Sequence, residues 1–258
     1  MGQHLFPREH GAWVQLLLPI VSALLVGRPS VAAWLMAVAA LLVFTAHESL
    51  VVVLGQRGAR KRDAYGRRAA AMLVGLSIAA AGCGLAALTM VDSTVMLSLL
   101  APLLAALLAV PMLMRRRERT TQAEVTIAVA LAALALPIGL AAAVQVREAV
   151  IIWLVWTATF VSMTLAARGV LAMAKKGAPS RRLLIHALGA STVALGAAIV
   201  LVVAGLVGAA VAWSMVPTFA LCVALAVRTP PAKRLMRVGL ALLAGGLITT
   251  AALVVGPL

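Results

Sequence analysis

The 258-residue sequence holds only four histidines, two aspartates and five glutamates, so any of them inside an apolar stretch stands out. His47 and Glu48 are neighbours in "FTAHESLVVVLG", seven or eight residues before Gly55. In a helix rising 1.5 Å per residue that is a depth of about 10 Å. Arg8, Glu9 and His10 crowd together in "PREHGAW", directly ahead of an apolar run, and Gln15 follows one turn into it. Arg168 stands seven residues before Lys175 in "LAARGVLAMAKK", and Thr164 precedes it by one helical turn.

These residue types fit proton transfer beside a bound anion. Glu48 or His10 is the candidate general base and His47 the candidate acid. Arg57, Arg60, Arg168 and Lys175, with Arg8, Glu9 and Gln15 at the rim, are the candidate contacts for a phosphate-bearing substrate, since guanidinium and ammonium groups hold phosphate without a metal. A structural alternative stands beside this one: Glu48 and Arg168, at similar depth, neutralise one another as an ion pair. His47 would then be a packed histidine bonded to a neighbouring carbonyl.

The elements that carry these residues follow from composition. The sequence is 64% hydrophobic and 11% charged, with mean hydropathy +1.11, more apolar surface than a water-soluble domain hides. Nine apolar runs are each about long enough to span a hydrocarbon core of roughly 30 Å. They are 11–26, 31–54, 69–90, 95–114, 125–144, 149–173, 183–207, 208–227 and 238–255, and the least marked division is the one at Gly208. Continuous apolarity excludes barrel strands, whose residues alternate. The expected fold class is an all-α polytopic membrane protein.

Charge gives the expected orientation. Of 22 basic residues, 20 fall on one side, and only Arg28 and Arg147 on the other. The positive-inside rule then puts the N-terminus in the cytoplasm and the C-terminus outside. The +15 charge is thus a matter of topology and anionic headgroups rather than nucleic acid. Trp13 is expected to anchor at the inner interface, and Trp153 and Trp156 at the outer one. Cys83 and Cys222 lie inside spans, which points to packing rather than a disulfide or metal cluster. The first run is read as a retained span, not a cleaved signal.

A shift of 118 residues places "LLPI" at 17–20 on "ALPI" at 135–138, Pro19 on Pro137, Arg57 on Lys175 and Arg115 on Lys233. One transmembrane domain is expected, made of parallel pseudo-repeats at about 7–123 and 125–237 with a final helix at 238–255. Each proline marks a kink whose freed carbonyl needs another partner.

"PREHGAW" followed by "LLLP", then "FTAHESLVVVLGQRGARKR" and "RRRERTTQAEV", resembles the YwiC-like family of bacterial membrane proteins along essentially the whole chain. That resemblance implies a membrane architecture and no reaction. Nine helices, two four-helix halves and polar loops after spans two and six also look like the UbiA-type intramembrane prenyltransferases. This more distant likeness implies a magnesium ion held on an isoprenyl diphosphate by two Asp-rich motifs. The sequence departs from that pattern, because Asp63 is its one cytoplasmic aspartate and basic residues stand where the motifs would be. The cofactor is therefore left open, and the residues themselves do not support magnesium.

The preferred reading is a transferase-like intramembrane enzyme acting from the cytoplasmic side on an isoprenoid or lipid phosphate, with the bilayer and anionic lipids as partners. The tail would lie along Ala- and Gly-rich helices such as "AAAMLVGLSIAAAGCGLAAL", although such residues also serve close packing. Two alternatives remain: a transporter or exporter of a small anion or lipid, and a non-catalytic membrane partner. No phosphate-binding loop, dinucleotide fingerprint or HExxH pair occurs.

Overall fold

The computed structural model describes residues 10–114, 120–174, 180–228 and 235–258. Their elements, in order, are α1 (His10–Val26), α2 (Val31–Val53), α3 (Ala59–Leu88), α4 (Ser93–Ser98), α5 (Leu100–Met114), α6 (Thr121–Ala133), α7 (Ala135–Ala141), α8 (Val146–Ala174), α9 (Ser180–Val203), α10 (Ala209–Val227) and α11 (Leu235–Val255). No strand occurs among the described residues. Eight segments are long and apolar enough to cross a bilayer, with α4–α5 and α6–α7 each forming one. The ninth, α1, is shorter; its 17 residues measure about 26 Å at 1.5 Å per residue. The chain is a multi-pass membrane protein, and the division near Gly208 is present: α9 ends at Val203, Gly205 turns with φ +69°, and α10 begins at Ala209.

Prolines set the interruptions. Pro102 and Pro137 have no N–H for the carbonyls of Ser98 and Ala133, and each run breaks three residues earlier, at Leu99 and Leu134. There the N–H groups turn inward to Met96 and Leu131, at 3.2 and 3.3 Å. Pro19 stays inside α1 and is fully buried, and it deprives the Gln15 carbonyl of its helical donor.

Arg60, Lys61, Arg62, Asp63, Arg67 and Arg68, expected between the second and third spans, all lie on α3, which starts ten residues before the expected span. Alanine, arginine and lysine favour helix, and the apolar stretch that follows anchors this first part. At 30 residues α3 is about 45 Å long, so its basic turns extend beyond a hydrocarbon core of roughly 30 Å.

The centre of the bundle is α8, which packs against α1, α6, α7, α9, α10 and α11. Within its spanning window 61% of residues are buried, against 11% in α3 and in α4–α5, so α8 is walled by protein and those two by lipid. Ile78, Leu107, Leu108 and Val193 lie on the lipid-facing surface. Trp156, expected at the outer interface, is instead fully buried: its Nε1–H donates to Ser22 Oγ of α1 at 3.1 Å, and that hydroxyl lies 3.4 Å from Thr250 Oγ1 of α11. A polar handle with partners on two neighbouring helices lets an indole sit in the core. Trp153 packs, half-buried, against the same core.

At the far end from the basic loops, the turn after α1 locks onto the end of α7. Arg28 N–H donates to the Ala142 carbonyl at 2.6 Å, and Ser30, the α2 cap, donates its hydroxyl to the Ala141 carbonyl at 2.7 Å. α1 also packs along α7 and α11.

Candidate functional site

Four helix ends lie at the basic-loop end, the starts of α1 and α6 and the ends of α2 and α8, and α1 packs against the other three helices. Beyond α2 the chain turns through Gly55 at φ +70° and Gly58 at φ +99°, backbone that residues with a Cβ rarely adopt. That turn carries Arg57 back over the end of α2. Its guanidinium grips Glu48 with both edges, Nε to Oε1 at 3.0 Å and Nη2 to Oε2 at 2.7 Å. Glu48 is only 9% exposed, so the clamp neutralises a carboxylate already inside the protein.

Arg168 has a different partner from the one the sequence suggested. It forks onto Glu124, with Nε and Nη2 each donating to a carboxylate oxygen. The Glu48–Arg168 pair therefore does not form; each charge is met by a residue on another element. Glu124 sits in the first turn of α6, whose cap Thr120 accepts from Ala123 N–H at 3.3 Å. A carboxylate there also faces the positive end of the helix dipole. Glu124 trails the arginine run rather than standing inside an apolar one, and its sequence signal is a threonine cap followed by an acid in the first helical turn.

Between the two pairs stands α1. Its Trp13 ring meets Phe44 edge-on, centroids 4.9 Å apart and planes at 71°, and Phe44 lies one turn before Glu48 on α2. Its Gln15 donates from Nε2 to Thr164 Oγ1 at 3.2 Å, and Thr164 lies one turn before Arg168 on α8. Trp13 thus works as an internal brace rather than a simple interface anchor. Farther along the same face of α8, within a sector of about 60° at 3.6 residues per turn, come Thr157 and Trp153. Thr157 Oγ1 and Trp153 Nε1 are buried without a hydrogen-bond partner among the described residues.

The structure thus brings Gln15, Glu48, Arg57 and Arg168 to one end of the bundle, with His47 half-buried next to Glu48. Arg60 lies exposed on α3 and His186 exposed on α9. His10 opens α1, its side chain outside the described set, and Arg8, Glu9 and Lys175 fall outside the described residues. Among the described residues no three His, Cys, Asp or Glu side chains gather. Glu48 and Glu124 are each committed to a guanidinium, a donor set that does not fit a magnesium–diphosphate clamp.

Fold and site together define a multi-pass helical membrane protein with paired charges gathered at one end of its core. The chain belongs to the YwiC-like family: the model described as YwiC-like protein matches residues 6–139, just over half of the sequence. The matched region holds Gln15, Glu48, Arg57 and Glu124, whereas Arg168 lies beyond it. No curated protein and no solved structure matches the chain.

Proposed function

We propose that this protein is a transferase-like intramembrane enzyme whose substrate is an isoprenoid or lipid phosphate, taken up at the basic-loop end of the bundle. The observation that carries the reading is the placement of two arginine–carboxylate forks, Arg57 with Glu48 and Arg168 with Glu124, on either side of the α1 end. Guanidinium pairs at membrane depth are costly to keep and suit neutralisation of a phosphate brought in on a lipid. The basic loops orient that end to the cytoplasm of a bacterial inner membrane and attract anionic headgroups. The architecture is read as two UbiA-like repeats, a reading supported by the packing of α1, with Pro19, along α7, with Pro137.

In this reading Arg57 and Arg168 hold the phosphate, with Arg60 and Lys175 at its approach. His47 protonates the departing phosphate oxygen, and Glu48 or His10 takes the proton of the attacking acceptor. Glu48 has a second task, fixing the Arg57 fork. Arg8, Glu9 and Gln15 line the rim. The tail lies against α3, where open space adjoins Gly75, Gly82 and Gly84.

The test is native mass spectrometry of the purified protein, followed by incubation with isoprenyl diphosphates and membrane lipid acceptors. A retained lipid phosphate and a new prenylated or transferred product are expected. No bound lipid, together with full complementation of a deletion phenotype by Arg168→Ala, overturns the reading. One observation favours transport instead: the polar line on α8 continues past Arg168 and Thr164 to the buried Thr157 and Trp153. Proteoliposomes that move a phosphate or lipid without altering it would establish that alternative.

A further inference from the structure

The two forks face solvent in opposite senses. In the first the acid is the deeper partner, with side-chain exposure of 12% for Glu48 and 22% for Arg57. In the second the acid is the more open one, 39% for Glu124 against 24% for Arg168. Arg168 is also the better anchored, since it projects from the most buried helix one turn beyond Thr164, which Gln15 holds. Glu124 lies in the first turn of α6, where the exposed Thr120 and Gln122 flank it.

The geometry points to Glu124 as a resident stand-in for ligand: its carboxylate occupies the Arg168 fork until a phosphate monoester or diphosphate displaces it. Two oxygens of a phosphate engage the two guanidinium edges as a carboxylate does. Release is inexpensive for Glu124, because a half-exposed carboxylate regains water. The same exchange at the other fork would strand Glu48, which is buried. Arg168 is therefore the fork that the anion opens, while Arg57 stays paired with Glu48 and lends the bound phosphate its charge. The entering phosphate breaks the Arg168–Glu124 link between α8 and α6 as it binds. This inference rests on the proposed phosphate reading but not on turnover.

The experiment measures binding without reaction. Inorganic pyrophosphate is titrated into the detergent-solubilised protein, and phosphatidic acid is supplied in nanodiscs of otherwise zwitterionic lipid. Glu124→Gln removes the competitor but keeps its shape. A solvent-accessible ion pair is weak, so affinity is expected to rise about 1.4- to fivefold. Arg168→Gln should abolish the response, as should the double variant Glu124→Gln/Arg168→Gln, which removes both charges of this fork and serves if Arg168→Gln alone folds poorly. A response to pyrophosphate alone identifies a free phosphate; a response to phosphatidic acid alone identifies a lipid headgroup. Unchanged or weaker binding of both probes by folded Glu124→Gln overturns the exchange, as does binding that survives loss of Arg168. Product formation with unchanged affinity sinks the exchange alone. Raised affinity without any product sinks the transferase reading alone.

Discussion

Gln15 donates to Thr164 across the interface of α1 and α8, 3.2 Å from Nε2 to Oγ1. The same glutamine has its carbonyl freed by Pro19, so one residue holds the neighbouring helix through its side chain while its backbone lacks the usual helical donor. A double-mutant cycle of Gln15→Leu and Thr164→Val should give a coupling of about 0.5–1.5 kcal/mol in unfolding. Zero coupling would mean that the contact does not fix α1 against α8.

Removing opposite members of the Glu48–Arg57 fork should have unequal effects. Arg57→Ala leaves a buried carboxylate unpaired, and a loss of about 3 kcal/mol is expected, near the lower end for breaking a buried pair. Glu48→Ala leaves the more exposed arginine, which can extend toward water, so its loss should be smaller. It should also leave Arg168 undisturbed, because Glu124 remains in place. Chemical denaturation of both variants checks the order, and a larger loss in Glu48→Ala would contradict it.

Ser22→Ala strands the indole N–H of Trp156 in the core. An unsatisfied buried donor costs about 1–3 kcal/mol, a loss that thermal unfolding should detect. Trp156→Phe in the same background removes the donor and should recover part of that loss.

Gly27 fills a tight junction with the end of α7. A Cβ built there would lie 2.4 Å from the Ala142 carbonyl oxygen and 2.8 Å from Val144 Cγ2. The carbonyl is held in turn by Arg28 N–H, so it has little room to yield. Gly27→Ala should cost about 1–3 kcal/mol, the range for overpacking, while Gly75→Ala, beside open space on α3, should cost almost nothing. Melting curves of the two variants provide the comparison.

Orientation is open to direct labelling. In a background lacking Cys83 and Cys222, Arg60→Cys should react with impermeant maleimide only after the membrane is opened from the cytoplasmic side. Arg147→Cys, near the opposite end of the bundle, should react in intact cells. The reverse pattern would invert the proposed topology.

The helical spans were legible because hydropathy is a local property, and Leu99 and Leu134 show the limit of that information: both breaks are local, but a proline near a span can kink, cap or interrupt it. Polar depth was legible for Glu48, Arg168 and Gln15, since a charged or amide side chain in an apolar run is conspicuous. Partner choice was not. It depends on helix rotation and on loops, and only the turn through Gly55 and Gly58 brings Arg57 back to Glu48. Trp156 shows the same limit, because its core position depends on Ser22, 134 residues away.

The Trp156–Ser22–Thr250 line also has a consequence for biogenesis. α1 is synthesised well before α8, and α11 comes later still, yet all three share this buried contact. Until α11 arrives, α1 lacks one of its walls, and its small polar groups need temporary shelter in the insertion machinery or beside α7. The α2–α3 hairpin has no such delay, since its two arms pack on each other and its connecting turn carries its own ion pair. Assembly should therefore begin with that hairpin and close with α11 seating against α1, so that interrupted synthesis leaves an open bundle for membrane quality control to recognise.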